Sequence, residues 1–578
     1  MKWKFAEEPD ENIVRNIQYT LNVPYVIARL LVQRGITDYE SARKFFSPAW
    51  HDIYNPYLIK DMDRSVERIL QAMKNNERIL IYGDYDVDGT TAVSILYSYL
   101  KEFYSNLDYY IPDRDKEGYG ISFQGVDYAA QTGAGLMIAL DCGIKAHEQI
   151  AYANNKGIDV IIGDHHTPPE NLPDAYAILN PKRKDCPYPY KELSGAGIAF
   201  KIIQAISEKR GQTIDKIIPY LDLVAVSIAA DIVPVTDENR TLLYFGLQQL
   251  NLSPRPGLKV LMRSMTKKEW TVSDLVFILA PRINSAGRMD NGKKAVELLI
   301  EPDEIKAIEL GNALEENNRQ RRETDQNITD EALQIITRHL SPDQYTTVVY
   351  DKNWHKGVVG IVASRLIEKY YRPTIVLTYS EQDKLWVGSA RSVKNFDLYS
   401  ILEEISEHIH KFGGHKFAAG LSVKPEKLKD FITAFEQTVR KHMPEHLREP
   451  EIEIDAELDL IDITPKFYRI LKRFAPFGPG NMKPVFLTRN LRDNGFARRV
   501  GKDQSHLRMF VMDGTTRSTL VAIAFNQGNK LEEIKNHEHF AAVYHLDENE
   551  WNGKISLQLK IKDIKTHPDE IPERPKFM

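Results

Sequence analysis

Cysteine is nearly absent: the 578 residues hold two, Cys142 and Cys186. That excludes a disulfide framework and a four-thiolate zinc site, and it fits a reducing compartment, so a cytoplasmic protein is expected. No apolar run is long enough to span a membrane, and the opening Met-Lys-Trp-Lys-Phe-Ala-Glu-Glu-Pro-Asp has no signal-peptide pattern, so no membrane partner is expected. A large excess of one charge is also missing. The formal net charge of -5 argues against a wholesale polyanion binder and turns attention to local patches. What is present is ordinary globular material, 42% apolar and 10% aromatic, in a chain too long for one core. Three or more domains are the default expectation.

The chain is organised around Ile79 to Thr91, Ile-Leu-Ile-Tyr-Gly-Asp-Tyr-Asp-Val-Asp-Gly-Thr-Thr. An apolar run ends at Gly83, Asp84, Asp86 and Asp88 alternate after it, and a helical pattern carries Val93, Ile95, Leu96 and Leu100. Carboxylates at this density repel one another unless a hard divalent cation such as manganese or magnesium lies among them. Further apolar runs also end at small or acidic residues, Leu136 to Leu140 before Asp141 and Val160 to Ile162 before Gly163-Asp164. Strands alternating with helices imply a parallel sheet, whose ligands bind beyond the carboxyl ends of the strands, so the acidic clusters are expected to converge.

Residues 1 to about 50 read as helical, with Tyr39, Ala42, Phe45 and Phe46 as an apolar face and no visible chemistry. Asp303 to Leu340 is helix-forming, amphipathic at both ends and polar all round in the middle, which suits a solvent-crossing connector. A second α/β pattern follows from Thr346 to about residue 442. After Glu445 the pattern becomes β-like, and Trp551-Asn552-Gly553-Lys554 supplies an Asn-Gly hairpin turn. There Lys472, Arg473, Lys483, Arg489, Arg492, Arg498, Arg499, Lys502 and Arg508 interleave with Phe474, Phe477, Phe486 and Phe496. Bases for phosphates and aromatics for stacking suit a single-strand groove, while core phenylalanines among solubilising bases are as good a reading.

His165 and His166 follow Asp164 at a strand end, and on an extended segment they are expected to point in opposite directions, one to metal and one to substrate. Taken with Gly83 to Gly89, Asp141-Cys142-Gly143, Asp164-His165-His166 and Ala230-Asp231, this chain resembles the DHH phosphoesterase superfamily, and within it the bacterial single-strand-specific exonucleases. Trp354 to Leu366, Gly388-Ser389-Ala390-Arg391-Ser392 and Gly413 to Gly420 are similar to the DHH-associated domain. Pro476-Phe477-Gly478-Pro479-Gly480-Asn481 and Gly501-Lys502-Asp503 resemble the oligonucleotide-binding barrel that the exonucleases add. Two departures stand out. Smaller superfamily members have a histidine ligand where Tyr82 stands, and Asp84 is taken as its substitute; Asn395 replaces a commoner glycine, which Asn tolerates in the left-handed conformation.

The resemblance implies an α/β fold: a parallel-sheet DHH domain over 51–300 and a smaller α/β DHH-associated domain over 343–445, joined by a long helix over 301–342. A helical lead-in occupies 1–50, a C-terminal β-barrel of oligonucleotide-binding type 446–570 and a tail 571–578. It further implies hydrolysis of single-stranded DNA from the 5′ end to 5′-mononucleotides by two manganese or magnesium ions, about 3.5–4 Å apart, that activate water and neutralise developing charge. Asp84, Asp86 and Asp141 are assigned to one ion and Asp88, Asp141, His165 and Asp231 to the other, with Asp141 bridging. Asp164 is expected to fix the His165 tautomer, and His166 to face the scissile phosphate as stabiliser or acid. Arg114, Ser389 and Arg391 are the choice for a terminal phosphate, His355 and His415 for close approach to the strand, and Arg282 and Arg288 for stacking on it or for structural ion pairs. Single-stranded DNA is the implied partner of a monomer, with a single-strand-binding protein and a helicase further out. A catalytically inactive DNA-binding scaffold and a nanoRNA or cyclic-dinucleotide phosphodiesterase are the alternatives.

Overall fold

A computed structural model describes residues 1–573 except 264, 266, 340, 342, 516–518 and 552. Asn552 of the expected hairpin turn, the end of the expected connector at Leu340 and Pro342, and residues 574–578 of the tail lie outside the described residues. The chain divides into two compact units: 55–231 with 246–450, and 1–54 with 232–245 and 451–578.

The 55–231 part of the first unit is built on a five-stranded parallel sheet, in the order Leu107–Tyr110, Arg78–Gly83, Ala134–Leu140, Asp159–Gly163, Ala177–Leu179. Its strands are continuous apolar runs because helices cover both faces. Register then does something specific. Gly83 pairs with Leu140, Leu140 with Gly163, and Gly163 with Leu179, so four strands end level, and the residues after the first three, Asp84, Asp141 and Asp164, share one edge.

A mixed five-stranded sheet follows in the same unit, in the order Lys411–His415, Ala418–Val423, Leu385–Arg391, Thr374–Ser380, Thr347–Tyr350, with the helices Val359–Tyr370 and Leu428–His442. One helix, Glu304–His339, runs between the two sheets' segments. It is no solvent-crossing rod. Asn318 and Asp325, in its polar middle, are buried, and Asp325 accepts from Arg365 Nη2 at 2.7 Å, pinning the helix to Val359–Tyr370. Burial with polar partners produces the same sequence pattern as solvent on all sides, which is why the pattern misleads.

In the second unit the strands between Ala456 and Lys565 form one seven-stranded sheet, and Phe486–Asp493 pairs with both Phe540–Trp551 and His506–Met512, curling it into a barrel. Phe540–Trp551 and Lys554–Lys565 pair as the expected antiparallel hairpin. The N-terminal helices are part of this body. Val14, Ile17, Ile27, Leu30, Leu31 and Phe45 share one core with Phe467, Phe474, Phe486, Leu507 and Leu559, and Lys2–Phe5 pairs in parallel with Glu451–Ile454. Amphipathic helices need a cover, and here it comes from more than 400 residues away, beyond the reach of local pattern. Of the expected apolar face, Ala42 and Phe45 are buried but Tyr39 is 61% exposed.

Arg240 ties this unit together: its guanidinium donates to the carbonyls of Phe45, Arg473, Phe474, Ala475 and Pro476 and lies 3.9 Å from the Phe45 ring. Burial pushes its pKa down to about 9. Arg240→Met would leave those acceptors buried and unmet, and a loss of about 3–5 kcal/mol is expected. Hydrogen exchange at the barrel amides checks this; protection equal to that of the unmodified chain would show the clamp to be idle.

Candidate metal centre and strand-binding surfaces

At the level strand edge, Asp86 caps the helix Val87–Lys101, accepting from Gly89 N at 3.1 Å, so the helix start aims Asp84, Asp86 and Asp88 at one space. Asp141 follows its strand with φ +60°, a left-handed backbone that Asp adopts more readily than most residues. Asp231 caps the C-terminus of the helix Leu221–Ala230. Three sets of possible ligand atoms each lie within 4.8 Å: Asp84, Asp86 and Asp141; Asp88, His165 and Asp231; and Asp141, His165 and His166. Asp141 is common to two of them. His165 Nε2 stands 3.1 Å from Asp141 Oδ1, 3.5 Å from Asp231 Oδ2 and 3.6 Å from Asp88 Oδ2.

The electrostatics are those of a cation site. Burial, then Asp86, pushes Asp84 well above the usual carboxylate range; burial, then Asp88, raises Asp86 and Asp141; and burial with Asp88 pushes Asp231 up to about 9. Burial keeps His165 neutral by lowering its pKa. Asp84 Oδ1, Asp141 Oδ1 and both ring nitrogens of His165 are buried with no hydrogen-bond partner among the described residues. Orphaned acceptors on hard oxygen and imidazole ligands fit divalent manganese or magnesium.

Two expectations change. Asp164 does not orient His165: its Oδ1 takes His166 Nδ1 at 2.8 Å and His166 N at 3.0 Å, while Oδ2 takes Ile144 N. Nor do the two histidines diverge; their ring centroids are 4.5 Å apart, because the chain turns immediately after the strand and is no longer extended. Burial works against charge on both Asp164 and His166, but their mutual bond outweighs it, lowering the acid and raising the imidazole. A charged pair results, with Nε2 of His166 beside Tyr119 Oη at 3.2 Å.

Sequence reasoning also missed what holds Asp88. Its carboxylate accepts from Gly195 N at 2.6 Å, Ala196 N at 2.8 Å and Ser227 Oγ at 2.7 Å, capping the helix Gly195–Lys209. A Cβ on Gly195 would stand 2.6 Å from Asp141 Cβ. The run Ser194-Gly195-Ala196-Gly197 before an apolar helix carries a capping signal. Tyr82, at the position of the smaller members' histidine, is buried core, its hydroxyl donating to Gly120 O at 2.8 Å.

Arg391 Nη1 donates to Ser389 Oγ at 2.6 Å, and both side chains press on Gly360 in the first turn of the helix Val359–Tyr370, an anion-favouring position. Arg114 lies 5.4 Å over the Tyr85 ring. Burial, then Arg114, lowers Arg391; burial, then Arg114, Arg321 and Arg391, pushes Arg288 down to about 10, with Asp86 opposing. The structure therefore groups Arg114, Arg288 and Arg391 beside the carboxylates. Arg282 is elsewhere engaged, its Nε and Nη2 on Glu315 at 2.7 and 3.2 Å, the structural ion pair of the two readings. His355 Nδ1 accepts from Gly357 N at 3.1 Å, and Arg288 Nη1 reaches Gly357 O at 3.3 Å. His415 is exposed on its strand, its pKa lowered by burial and then by His166. Gly414 is needed for the tight hairpin, where a Cβ would strike Ala418 and Ala419.

On the barrel, Phe474 and Phe486 are core, Phe477 is packed against it, and Phe496 is 69% exposed. Lys472, Lys483 and Arg489 are paired with Glu548, Asp547 and Glu457. Arg498 and Arg508 stand directly opposite each other across two strands, an arrangement that like charges disfavour unless a polyanion covers them. Arg508 lies over Phe510, 5.1 Å from its centroid, and Phe496 is 6.5 Å from the same ring.

Known proteins share this geometry. Family models match as DHH family, N-terminal domain, over residues 78–228, DHHA1 domain over 343–441 and RecJ OB domain over 454–563. The single-stranded-DNA-specific exonuclease RecJ of Bacillus subtilis (strain 168) is 37% identical, over 97% of this chain and 70% of its own. The Escherichia coli (strain K12) RecJ is 33% identical, over 94% of this chain and 96% of its own. This chain belongs to the RecJ family. The crystal structure of RecJ in complex with Mn2+ from Thermus thermophilus superposes with a TM-score of 0.83 at 26% identity, covering 99% of this chain and 80% of that one. The RecJ architecture of DHH, DHHA1 and OB domains with a long connecting helix is thus the fold of this chain. Among the described residues no helix is long and apolar enough to cross a membrane.

The raised carboxylates set a pH dependence. A group whose folded pKa exceeds its unfolded value stabilises fully below the unfolded value and loses that contribution as pH rises through the folded one. The metal-free protein should therefore lose stability from about pH 4 toward pH 9, while manganese, which needs the ionised carboxylates, should raise the melting temperature more at about pH 8 than at about pH 6. Asp141→Asn should abolish most of that shift without lowering the metal-free melting temperature. A manganese shift equal at both pH values would count against the cluster as the binding site.

Proposed function

We propose that this chain is a two-metal exonuclease that hydrolyses single-stranded DNA in the 5′ to 3′ direction, releasing 5′-mononucleotides, in DNA repair and recombination. The observation that carries the reading is the arginine group Arg114, Arg288 and Arg391 set beside a cluster of unpartnered metal ligands, on a chain whose relatives are named for this activity. Asp84, Asp86 and Asp141 would hold one manganese or magnesium ion and Asp88, Asp141, His165 and Asp231 the other. Such ions, when bound, activate water and neutralise charge on the phosphate.

The chain's own residues do the rest. Asp88 has its two oxygens committed to the start of the helix Gly195–Lys209, so the ligand is fixed before any ion arrives. His166, charged against Asp164, carries its Nε2–H beside Tyr119 Oη, and the two together would face a phosphate oxygen as donors. Ser389 and Arg391, at a helix start, suit the terminal phosphate, with Arg114 beside them. On the barrel, Arg498 and Arg508 with Phe496 and Phe510 support a role in holding strand by phosphate contact and stacking. An enzyme confined to single strands needs a source of them, which makes a helicase and a single-strand-binding protein its natural company; a cytoplasmic monomer completes the reading. The unpartnered ligand atoms argue against an inactive scaffold, since among the described residues no hydrogen bond uses them.

With manganese and a 5′-labelled strand, the chain should release labelled mononucleotide first, and Asp141→Asn should cut this activity at least a thousandfold, on the scale of losing a transition-state interaction of about 4 kcal/mol. First release from the 3′ end would overturn the polarity. Arg391→Ala should slow 5′-phosphorylated strands by about tenfold to a hundredfold, as a lost charge-assisted hydrogen bond does, and 5′-hydroxyl strands much less. Equal slowing of both would reduce Arg391 to a general electrostatic contributor.

A further inference from the structure

The polar middle of the helix Glu304–His339 holds donors with nothing to donate to. Arg321 Nε and Asn317 Nδ2 are both buried and without a hydrogen-bond partner among the described residues. They are four residues apart on one helix, hence on one face. Arg321 Nη2 donates to Oδ1 of the buried Asn318 at 3.0 Å, which fixes the guanidinium and leaves Nε without a partner among the described residues. Of the nearby acids, Asp325 gives its Oδ2 to Arg365 at 2.7 Å, with its Oδ1 left unpartnered among the described residues, and Glu315 pairs with Arg282. This helix packs against Ala280–Met289, the helix that carries Arg288.

Charge agrees with geometry. Burial lowers the pKa of Arg321, with Asp325 opposing and Arg322, Arg365 and Arg282 adding to the fall, and Arg321 in turn lowers Arg288. A run of guanidiniums, Arg391, Arg114, Arg288 and Arg321, therefore extends from the Ser389–Arg391 fork along the connecting helix. Buried donors without acceptors, and guanidiniums gathered with Asp325 as the acid that opposes Arg321, are both eased by one kind of ligand, an anion bristling with acceptor oxygens.

We propose that Arg321 and Asn317, together with Arg288, form a second phosphate subsite, one that holds an internucleotide phosphate of the single strand separately from the fork for the terminal phosphate. The subsite rests on the proposed single-strand exonuclease reading for its ligand but not on catalysis. Arg321 and Asn317 are in this view binding residues, built into the element that joins the two α/β parts, so the strand would touch the connector as well as the domains on either side of it. The two phosphate subsites divide the work: the fork reads an end, and the connector reads the chain that follows.

The test is binding of a short 5′-phosphorylated oligothymidine to the full-length protein in chelator, by fluorescence anisotropy across a salt series. Arg321→Gln should weaken binding about tenfold or more and make the salt slope shallower by about 0.7, the value for one phosphate contact on a single strand. The same loss is expected on a 5′-hydroxyl strand, in contrast to Arg391→Ala. Arg321→Lys should keep the slope while losing part of the affinity, and Asn317→Asp, which places a carboxylate against the phosphate, should weaken binding while the melting temperature holds. Removing one charge from a repelling group should leave the metal-free melting temperature of Arg321→Gln unchanged or raised. Unchanged affinity and slope in Arg321→Gln overturns the subsite, as does a lowered melting temperature in both Arg321 variants with affinity retained, which would make Arg321 a structural partner of Asp325. Because the readout needs no hydrolysis, a chain that bound as expected but failed to cut would sink the exonuclease reading and leave the subsite standing.

Discussion

Four carboxylates, Asp84, Asp86, Asp141 and Asp231, sit close enough in a buried space that burial and one another's charge push each toward its neutral form. Everything around them is arranged to keep that conflict unresolved by protein atoms. Level strand ends bring Asp84 and Asp141 together, the start of one helix projects Asp86 and Asp88, and the backbone amides at the start of another hold the Asp88 carboxylate in place. The parallel sheet and its helices serve as a frame that holds like charges together against their repulsion. A positive counterpart, the arginine group from Arg391 to Arg321, lies in the same unit, and Arg321 Nε is buried without a partner among the described residues. Clusters of opposite charge held in one unit are what a metal-dependent enzyme acting on a polyanion requires.

The second unit solves a different problem. The barrel, in which Arg498 and Arg508 face each other across strands, is completed by helices from the far N-terminus and by the Arg240 side chain inserted among five carbonyls. Segments distant in sequence thus share one core, and cutting the chain before the barrel would strip the cover from Val14, Ile17 and Leu30. The barrel's contribution to strand binding is for that reason better read from single side chains than from truncation.

Much of the site was legible in the sequence because its chemistry is local. Strand runs ending in acids, a Gly-flanked Asp repeat and an Asp-His-His triplet each announce themselves within a dozen residues, and Asn395 at φ +66° takes the left-handed conformation its side chain allows. What could not be read depends on distance. The cap on Asp88 joins residues more than 100 apart, the cover for the N-terminal helices lies at the other end of the chain, and the polar middle of the connector looks the same whether water or buried partners surround it. The histidine pair misled for a subtler reason: opposite faces are a property of extended chain, and the chain leaves its strand after Gly163 and bends at His166 itself.

The left-handed backbone at Asp141 has a consequence for how such a protein changes over generations. At φ +60° few residues are comfortable, and those with short polar side chains, Asp and Asn, are favoured along with glycine. Gly195 is constrained from the other side, since a Cβ there would stand 2.6 Å from Asp141 Cβ. The neighbours of this position in mutational space that preserve the fold are thus ones that weaken or remove the charge. A single-base drift from aspartate to asparagine or glycine would silence the metal centre while the sheet, the connector and the barrel stayed intact. The geometry that shapes the ligand therefore also supplies the easiest route by which a nuclease of this architecture can become a binding protein.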